Sequence, residues 1–535
     1  MPSFKLDDRE IPFEPGDTVI RAAHRVGVDV PHYCWHPGLS VAANCRMCLV
    51  EVMPPPGRPA MMLDVLAWDE AQQSYVPQKK PKLQPACQQA AADGMVVKSQ
   101  TSEHAVRARS AVQELLLLNH PVDCPICDQA GECRLQDYWL EHQASKKRMR
   151  DEPIHKPKGV VFGPTIVYDA ERCIMCTRCI RVSDELAKDP VLSMRERGNL
   201  NEITVAPGRQ LDHNYTLMTE YVCPVGALTS SDFRFKARVW FLRSARTICN
   251  NCAGGCNSFT DFDPRNQKVY RYRPRENLAV NKYWMCDEGM LDYQRIHKDR
   301  VLEPRVGGEA TTDAAALQKA ADLIRGAAPQ KLAILLSAQH SNEDNQALLD
   351  LGKALGALQV FYTGRPPGKG DDILMCEDKN PNAAGVRALS GGRAKPLADF
   401  VAAVKEGKVG VVVALGSAIG NPNDAGALKD VKGFVALSTH EGPIAAAAAV
   451  VLPASSWAEA DGTFVNRLDM WQESDRAIAP QGQSRPAFRW VQELAKTLSL
   501  SLPWKKVSEL RASSSKPAPA VSPSSSPSFS PPGGE

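Results

Sequence analysis

Fifteen of the sixteen cysteines, together with one histidine, fall along the chain into four consecutive sets of four residues. We name these the first, second, third and fourth set; in order, their members are Cys34, Cys45, Cys48 and Cys87; His120, Cys124, Cys127 and Cys133; Cys173, Cys176, Cys179 and Cys223; and Cys249, Cys252, Cys256 and Cys286. Thiolate sulfur is a soft ligand that selects zinc, copper(I) or iron–sulfur clusters. Each set has the four ligands that such a cluster needs.

The spacing of the third set favours iron over zinc. Structural zinc sites are usually built from separated C-x2-4-C pairs. Here three cysteines follow one another in CIMCTRC, and the fourth, Cys223, precedes a proline in VCPVGAL. This arrangement resembles the loop that holds a ferredoxin [4Fe–4S] cluster. A structural module held together by zinc remains the alternative, whereas a disulfide framework is disfavoured because 535 residues can bury a core without covalent links.

The first set lies in a segment of alternating, strand-like sequence. Cys45 and Cys48 stand in AANCRMCLVEV, immediately before a strand signal. Residues 1–95 are therefore predicted to form a small β-grasp ferredoxin module with a [2Fe–2S] cluster. His32 and His36 flank Cys34 and could replace thiols, but the set already has four.

A helix is predicted over residues 101–118, within a module of residues 96–150. In TSEHAVRARSAVQELLLL, Val112, Leu115 and Leu116 share one face, and Arg107 and Arg109 are expected to be exposed.

His120 follows this helix and is predicted to be a cluster ligand rather than a helix cap. It stands four residues before Cys124 and completes a site that otherwise has three thiols. A neutral imidazole in place of a thiolate removes one negative charge, which raises the reduction potential of a cluster.

The remaining modules follow in order along the chain. Residues 151–239 hold the third set as a ferredoxin-like module, and residues 240–300 hold the fourth. From residue 301 to 505, segments such as KLAILLSA, QVFYTG, VGVVVALGS and FVALST alternate with helical sequence, including a helix near residues 346–358, which predicts an α/β domain with a parallel sheet. Residues 506–535 are rich in serine and proline, and we expect them to be disordered. The whole chain is thus predicted to combine α+β and α/β modules.

Composition gives little information about partners. With 43% hydrophobic residues, 23% charged residues and a net charge of +3, no nucleic-acid partner is indicated. The basic run at residues 146–150 is interpreted as a solvated or interface face. Apolar stretches such as residues 443–454 fall well short of the roughly 20 residues of a membrane span, so any membrane link is expected to run through partners. The opening MPSFKLDDREIPFEPGD has no apolar signal core, which favours a reducing cytoplasm.

The order of the sets, with NHPVDCPICDQAGEC, CIMCTRC, VCPVGAL and TICNNCAGGC, resembles the large iron–sulfur subunit of NADH-quinone oxidoreductase, which is respiratory complex I. The resemblance covers roughly residues 1–480. It implies one [2Fe–2S] and three [4Fe–4S] clusters that carry electrons from a flavin subunit, which oxidises NADH, toward a small ferredoxin-like subunit and quinone. It also implies that the first three sets conduct, that the fourth lies off the main route, and that the chain sits peripherally on the cytoplasmic side of the bacterial inner membrane. Such a chain is part of an oxidoreductase without a complete active site of its own.

The C-terminal half is similar to molybdopterin-dependent oxidoreductases, above all in AAVVLPASSWAEADGTFVN. It departs from them at residues 466–472, NRLDMWQ, where relatives read N-x-E-G-R-x-Q. Cys376 is followed by Glu377 rather than histidine and is interpreted as a buried free cysteine. Residues 364–370 lack the spacer of a phosphate-binding loop, and residues 416–420 lack a G-x-G-x-x-G fingerprint. No molybdenum cofactor, flavin or NAD is therefore expected on this chain.

Two other functions remain open. The chain could be an iron–sulfur subunit of an NAD-linked hydrogenase or formate dehydrogenase, which shares the N-terminal modules, although later cysteines for a hydrogenase metal site are missing. It could also be a non-redox scaffold held by zinc. Metal and sulfide analysis separates the zinc scaffold from the others, and co-purifying subunits separate the two redox functions.

Overall fold

The computed structural model describes residues 1–142 and 148–514. These residues form two compact units, Met1–Val239 and a second unit that begins at Trp240. Lys146 and Lys147 of the basic run lie outside the described residues, as do residues 515–535 of the predicted tail. None of the helices in the described ranges has the length and apolar character of a membrane span.

The first unit opens with a five-stranded sheet in the order β2-β1-β7-β3-β6, in which β1 pairs in parallel with β7. A helix, α1, packs its apolar side chains into the same core as Phe4, Leu6 and Val97. This is the predicted β-grasp arrangement, and that prediction is confirmed. A separate hairpin, β4 and β5, extends from the region between Cys48 and Cys87. The elements are β1 (Ser3–Leu6), β2 (Arg9–Pro12), α1 (Val19–Arg25), β3 (Leu49–Met53), β4 (Met62–Asp69), β5 (Ser74–Pro81), β6 (Gln84–Pro85) and β7 (Val96–Lys98).

Two helices follow, α2 (Glu103–Leu117) and α3 (Arg134–His142). The Ser102 side chain caps α2 by accepting a hydrogen bond from the Ala105 amide. The predicted orientation of α2 was wrong, because Arg109 is fully buried and Leu115 is exposed. The Arg109 guanidinium donates hydrogen bonds to the Ser99 carbonyl and the Gln100 side chain, which offset the cost of burying its charge.

The rest of the first unit is built from short elements around the third set. They are β8 (Val160–Val161), β9 (Ile166–Tyr168), α4 (Arg178–Arg181), β10 (Leu192–Arg195), β11 (Glu202–Val205), α5 (Thr216–Tyr221) and β12 (Leu228–Ser230). Helix α4 continues into one turn of π-helix, Val182–Leu186, and a 3-10 turn spans Gly198–Leu200. Strands β12, β9 and β8 form one antiparallel sheet, and β10 pairs with β11.

The second unit begins with a three-stranded antiparallel sheet and a short helical segment. After the 3-10 turn Val239–Phe241 come β13 (Arg243–Ile248), β14 (Asn257–Asp263), β15 (Lys268–Pro274), α6 (Asp287–Leu291) and the 3-10 helix Asp292–His297. The cysteines of the fourth set lie at the end of β13, at the start of β14 and immediately before α6.

An eight-stranded sheet forms the centre of the second unit, in the order β17-β16-β23-β22-β21-β18-β19-β20. The six strands from β18 to β23 run in parallel, and numbered along the chain they stand in the order 3-2-1-4-5-6 of a doubly wound α/β fold. The predicted parallel sheet is confirmed. Its strands are β16 (Arg305–Val306), β17 (Glu309–Ala310), β18 (Leu332–Ser337), β19 (Gln359–Thr363), β20 (Lys395–Pro396), β21 (Val411–Leu415), β22 (Gly433–Ser438) and β23 (Val450–Pro453).

Helices cover both faces of this sheet because its buried strands are apolar on both sides. Ile334 and Val413 face one core, and Leu335 and Val412 face the other. The helices are α7 (Asp313–Arg325), α8 (Asn342–Ala354), α9 (Ala383–Leu389), α10 (Leu397–Lys405), α11 (Ala425–Leu428), α12 (Pro443–Ala447), α13 (Ala487–Thr497) and α14 (Val507–Ser514), with 3-10 turns at Pro329–Lys331 and Pro422–Asp424 and a hairpin of β24 (Gly462–Val465) and β25 (Trp471–Ser474).

Two predicted boundaries differ from the structure. The helix expected near residues 346–358 begins at Asn342, because the Ser341 side chain caps it by accepting from the Asp344 amide. The expected disorder from residue 506 does not hold over Val507–Ser514, which form α14. Leu510 is fully buried against the core of the α/β domain, so this last helix has an apolar anchor.

Candidate metal centres

The first set lies in the loops of the β-grasp module, with all four sulfurs close together. Cys34, Cys48 and Cys87 are buried, and Cys45 is half-buried. The sulfurs form two hydrogen-bonded pairs, Cys34 with Cys45 and Cys48 with Cys87. The hydrogen bond from Cys45 is the main cause that lowers the pKa of Cys34 to about 5, and amide groups of Asn44 and Cys45 act in the same direction.

This pairing suits a [2Fe–2S] cluster, in which each iron takes two protein ligands. The two chain segments that supply Cys48 and Cys87 meet through a backbone hydrogen bond. The Ala86 amide, next to Cys87, donates to the Cys48 carbonyl at 2.9 Å. His32 and His36 lie near the set, but His32 is turned to the Val30 carbonyl through Nδ1 at 2.6 Å.

The second set lines one cavity, and His120 lies in it with all three cysteines. Burial lowers the pKa of His120 to about 4, and the nearby Arg172 acts in the same direction, so the imidazole is neutral at pH 7 and has a free lone pair for a metal. Cys124 is exposed, whereas Cys127 and Cys133 are buried.

The third set also lines a single cavity. All four cysteines contribute, and the other walls are largely apolar, with Ile174, Ile203 and Val225 among them. Burial raises the pKa of each thiol, to about 11 for Cys173, so the thiolates need a positive metal to compensate them.

The backbone of the third set is shaped to direct donors at sulfur. Met175 and Thr177, which flank Cys176, have left-handed φ angles of 54° and 61°. Such angles are costly for residues with a Cβ and occur where function requires them. With this backbone the Met175 amide donates to the Cys173 sulfur at 3.4 Å. Amide groups that donate to cluster sulfurs are one of the determinants of reduction potential.

Buried arginines connect the ligand loops of the first and third sets. Arg181 Nη2 donates to the Cys34 carbonyl at 2.5 Å and to the Cys176 carbonyl at 3.2 Å. Arg178 donates to the Trp35 carbonyl next to Cys34. The two ligand loops are therefore in direct structural contact. Sequence reasoning missed both arginines, since Arg178 lies within the third-set motif and Arg181 two residues after it, whereas their partners are more than 140 residues away.

A glycine brings the second and third sets together. A Cβ on Gly226 would lie 2.3 Å from the Cys127 sulfur and 3.1 Å from the Gln129 Cβ. Gly226 belongs to the VCPVGAL segment that supplies Cys223. The Arg134 amide, next to Cys133, also donates to the Pro224 carbonyl at 3.0 Å. The Cys-Pro segment of the third set thus forms part of the wall of the second.

The fourth set is buried in the second unit. Cys249 and Cys286 lie on either side of Gly289, where an added Cβ would meet their sulfurs at 3.1 and 3.3 Å. The Gly289 amide donates to the Cys286 sulfur at 3.3 Å. Cys252 and Cys256 complete the group, and all four are buried.

The loop of the fourth set is held against the α/β domain by residues 466–472. The Gln472 side chain donates to the Gly255 carbonyl at 3.0 Å and accepts from Asn257 at 2.5 Å. The Arg467 amide donates to the Ala253 carbonyl at 2.8 Å. Gly255 has a φ of 60°, and a Cβ there would lie 2.9 Å from the Asn466 Cβ. This segment now holds the loop of the fourth set.

Residues 416–420 follow β21 at the carboxyl edge of the sheet, where doubly wound folds bind ligands. This loop is packed by the chain after β22. Ser438 donates to the Gly416 carbonyl at 2.7 Å, and the His440 amide donates to Ser417 Oγ at 3.0 Å. A Cβ on Gly442 would lie 2.5 Å from the Ser417 carbonyl.

Within the described residues, no three His, Cys, Asp or Glu side chains converge on a position for a single metal ion.

Family comparisons match most of the chain domain by domain. A model of the 2Fe-2S iron-sulfur cluster binding domain matches residues 2–102, and the NADH-ubiquinone oxidoreductase-G iron-sulfur binding region matches residues 109–148. The ferredoxin-like domain of NADH-quinone oxidoreductase subunit 3 matches residues 163–229, and molybdopterin oxidoreductase matches residues 322–497. The fold and these domains define an iron–sulfur protein with a C-terminal domain of the molybdopterin oxidoreductase type.

Curated relatives carry the comparison further. The G subunit of NADH-quinone oxidoreductase from Streptomyces coelicolor is 37% identical over 303 residues, which are 56% of this chain and 33% of that protein. The corresponding protein of Rickettsia conorii is 33% identical over 67% of this chain and 50% of its own length. NADH dehydrogenase [ubiquinone] iron-sulfur protein 1, mitochondrial, of Solanum tuberosum is 33% identical over 71% and 48%. The chain, a relative of these NADH-quinone oxidoreductase subunits, thus spans about a third to a half of their length.

A solved structure of an NAD+-reducing [NiFe]-hydrogenase in the H2-reduced state is 29% identical and covers 44% of this chain and 91% of its own. Its TM-score is 0.36, which is too low to bear on the fold.

Proposed function

We propose that this chain is the electron-transfer subunit of an NADH-quinone oxidoreductase and relays electrons from a flavin subunit toward quinone. The observation that carries the proposal is the contact between ligand loops in the first unit. Arg181 joins the loops of the first and third sets, and Gly226 lies in the loop of the third set against Cys127 of the second. Electron transfer slows steeply with distance, so three redox sites with touching ligand loops are suited to pass electrons from one to the next.

In this proposal the first set holds a [2Fe–2S] cluster and the other three sets hold [4Fe–4S] clusters. Bound clusters would supply one-electron redox chemistry. The chain contributes the ligands, the amide donors that tune the sulfurs, and apolar walls that limit access of water. The pairing within the first set supports Cys34 and Cys45 as ligands of one iron and Cys48 and Cys87 as ligands of the other.

The fourth set has a different proposed role, which is to stabilise the second unit. Its loop makes hydrogen bonds with the α/β domain through Gln472, Arg467 and the Asp378 carbonyl, which accepts from the Ala253 amide at 2.9 Å. Cluster binding to a site that is absent in the unfolded chain adds to the free energy of folding. We infer that this cluster stabilises the second unit and lies off the electron route.

The partners follow from the same proposal. The chain would bind the flavin subunit that oxidises NADH, a small ferredoxin-like iron–sulfur subunit and other peripheral subunits, and it would reach the cytoplasmic face of the bacterial inner membrane through them. We also propose that the chain is divided into five modules and a C-terminal tail, as predicted from the sequence. The modules end at residues 95, 150, 239 and 300, and the last one extends beyond residue 505 to include α14.

Purification of the tagged chain from its native host tests the proposal. We expect a flavin subunit and a quinone-reactive assembly to co-purify, and NADH to reduce the clusters of that assembly within its turnover time. The isolated chain should not be reduced by NADH, although reduced dyes should load its clusters. Co-purification of a hydrogenase or formate dehydrogenase subunit instead would contradict the assignment.

A further inference from the structure

The sixteenth cysteine, Cys376, lies beside the fourth set. It is buried and packs in one cluster with Cys252 and Ala253. A Cβ on Gly254 would lie 3.4 Å from the Cys252 sulfur and 3.6 Å from the Cys376 sulfur, so both sulfurs flank the same glycine. A site with four proposed ligands therefore contains five thiols.

Cys376 is positioned as a donor to Cys252. Its thiol is within hydrogen-bonding reach of the Cys252 sulfur, to which the Cys376 and Gly254 amides also donate, and the same thiol lies 3.7 Å from the Leu374 carbonyl oxygen.

The backbone around Cys376 fixes this position. The Ala253 amide donates to the Asp378 carbonyl at 2.9 Å, which joins the ligand loop to the segment after Cys376. On the other side, Asp371 Oδ1 accepts from the Leu374 and Met375 amides at 2.9 Å each. Both chain segments are thus held in place beside the fourth set.

We propose that Cys376 is a reserve ligand of the fourth site, which donates an S–H hydrogen bond to the ligating sulfur of Cys252 and binds iron itself when Cys252 is absent. The inference rests on the proposed function, since it requires that the fourth set holds a cluster. On ligation, an Fe–S bond to Cys376 takes the place of the one to Cys252, the Cys376 thiol releases its proton to solvent, and no oxidation state changes.

Ligand exchange is tested by measuring the iron and sulfide content and the EPR spectra of four full-length proteins. They are the wild type, Cys252→Ala, Cys256→Ala and the double variant Cys252→Ala/Cys376→Ala. Cys256 is the matched control, because its deletion removes a ligand of the same set while Cys376 remains beside Cys252. We expect Cys252→Ala to keep a four-iron signal at the fourth site, and both Cys256→Ala and the double variant to lose about four irons, the content of one [4Fe–4S] cluster.

If Cys252→Ala has the same iron content as the double variant while Cys256→Ala loses its cluster, Cys376 is not a reserve ligand. The proposal that the fourth set holds a cluster is then still supported. If Cys256→Ala keeps all its iron, the ligand assignment of the fourth set fails, and the inference fails with it.

A second measurement tests hydrogen bonding in protein that keeps all four ligands. Cys376→Ala removes the S–H donor, whereas Cys376→Ser keeps a donor of similar size. Since hydrogen bonds to sulfur favour the reduced cluster, the midpoint potential of the fourth cluster should shift downward in Cys376→Ala and less in Cys376→Ser. Equal midpoints in wild type and Cys376→Ala would overturn the donor role, and thermal unfolding of both variants checks that the fold is intact.

Discussion

The guanidinium of Arg181 donates a hydrogen bond to the carbonyl oxygen of Cys34, 147 positions earlier in the chain. The same nitrogen donates to the Cys176 carbonyl, so one side chain is shared by the ligand loops of two predicted clusters. Because the guanidinium is buried, its positive charge acts on both sites with little screening by water.

Replacement of Arg181 by methionine should loosen both loops. The change removes the donors and leaves buried carbonyl groups unsatisfied, which costs about 1–3 kcal/mol each in the free energy of unfolding. Loss of the positive charge should also lower the midpoint potentials of the first and third clusters together. Thermal unfolding and EPR redox titration measure both effects. Arg107→Met is the matched control, because Arg107 is exposed and pairs with Glu103 on the surface of α2; equal results for the two variants would contradict the linking role.

Gly226→Ala should disrupt the second cluster more than the others. Its Cβ would lie 2.3 Å from the Cys127 sulfur, closer than any real contact, so the Cys-Pro segment or the Cys127 loop must shift. We expect a loss of about four irons and of the corresponding EPR signal. Gly426→Ala is the control, because nothing lies within 4 Å of the position of its Cβ. Full iron content and an unchanged spectrum in Gly226→Ala would show that the close approach is not required.

His120→Cys should keep the second cluster but lower its midpoint potential, since a thiolate adds one negative charge where the neutral imidazole had none. Electron passage to the next site should slow accordingly. Redox titration followed by EPR makes the comparison with wild type. An unchanged or higher midpoint would mean that His120 is not a ligand, even though it lies in the cavity with Cys124, Cys127 and Cys133.

Cys256→Ser should weaken the second unit more than it slows turnover. Without a cluster, the loop from Cys249 to Cys256 loses a covalent link to Cys286 while it keeps its hydrogen bonds to Gln472 and Arg467. We expect lower thermal stability and less assembled complex, but near-normal NADH-to-quinone turnover per flavin. A variant that assembles fully and loses most turnover would place the fourth cluster on the conducting route.

Asp344 gives the α/β domain a pH dependence of known sign. Burial raises its pKa to about 7, above the value near 3.9 expected for an unfolded aspartate. Between these values the folded state keeps a proton that the unfolded state has lost, so stability falls as pH rises toward 7 and levels off above it. Asp344→Asn can still accept from the Phe488 amide, as Asp344 Oδ1 does at 2.9 Å, and should gain stability over wild type as pH rises from 5.5 to 7. If the free energies of unfolding of Asp344→Asn and wild type differ by the same amount at pH 5.5 and at pH 7, this assignment is wrong.

The sequence predicts the ligand sets because most of their members stand close together along the chain. Cys173, Cys176 and Cys179 are read directly from one loop, and the predicted β-grasp module and parallel sheet are present. Contacts between distant segments left no such signal. Gly226 resembles any other glycine after a Cys-Pro pair until the structure places Cys127 beside it. Likewise, Arg109 has the spacing of an exposed arginine, but tertiary hydrogen bonds hold it in the core.

Cys376 was correctly interpreted as buried, but the sequence placed it 90 residues from the nearest member of a set. Its contact with Cys252 depends on the way the α/β domain folds back over the loop of the fourth set. The doubly wound strand order could not be predicted from the sequence either. Alternating strands and helices predict parallel pairing, but they do not determine which strands are neighbours.

Iron and acid-labile sulfide in the purified full-length chain give the most direct test of the claim that this protein is an electron relay. One two-iron and three four-iron clusters require about 14 iron atoms and an equal number of sulfide ions per chain. The account predicts that result, together with EPR signals of both cluster types after reduction. Zinc in the four sets, without sulfide, would contradict it.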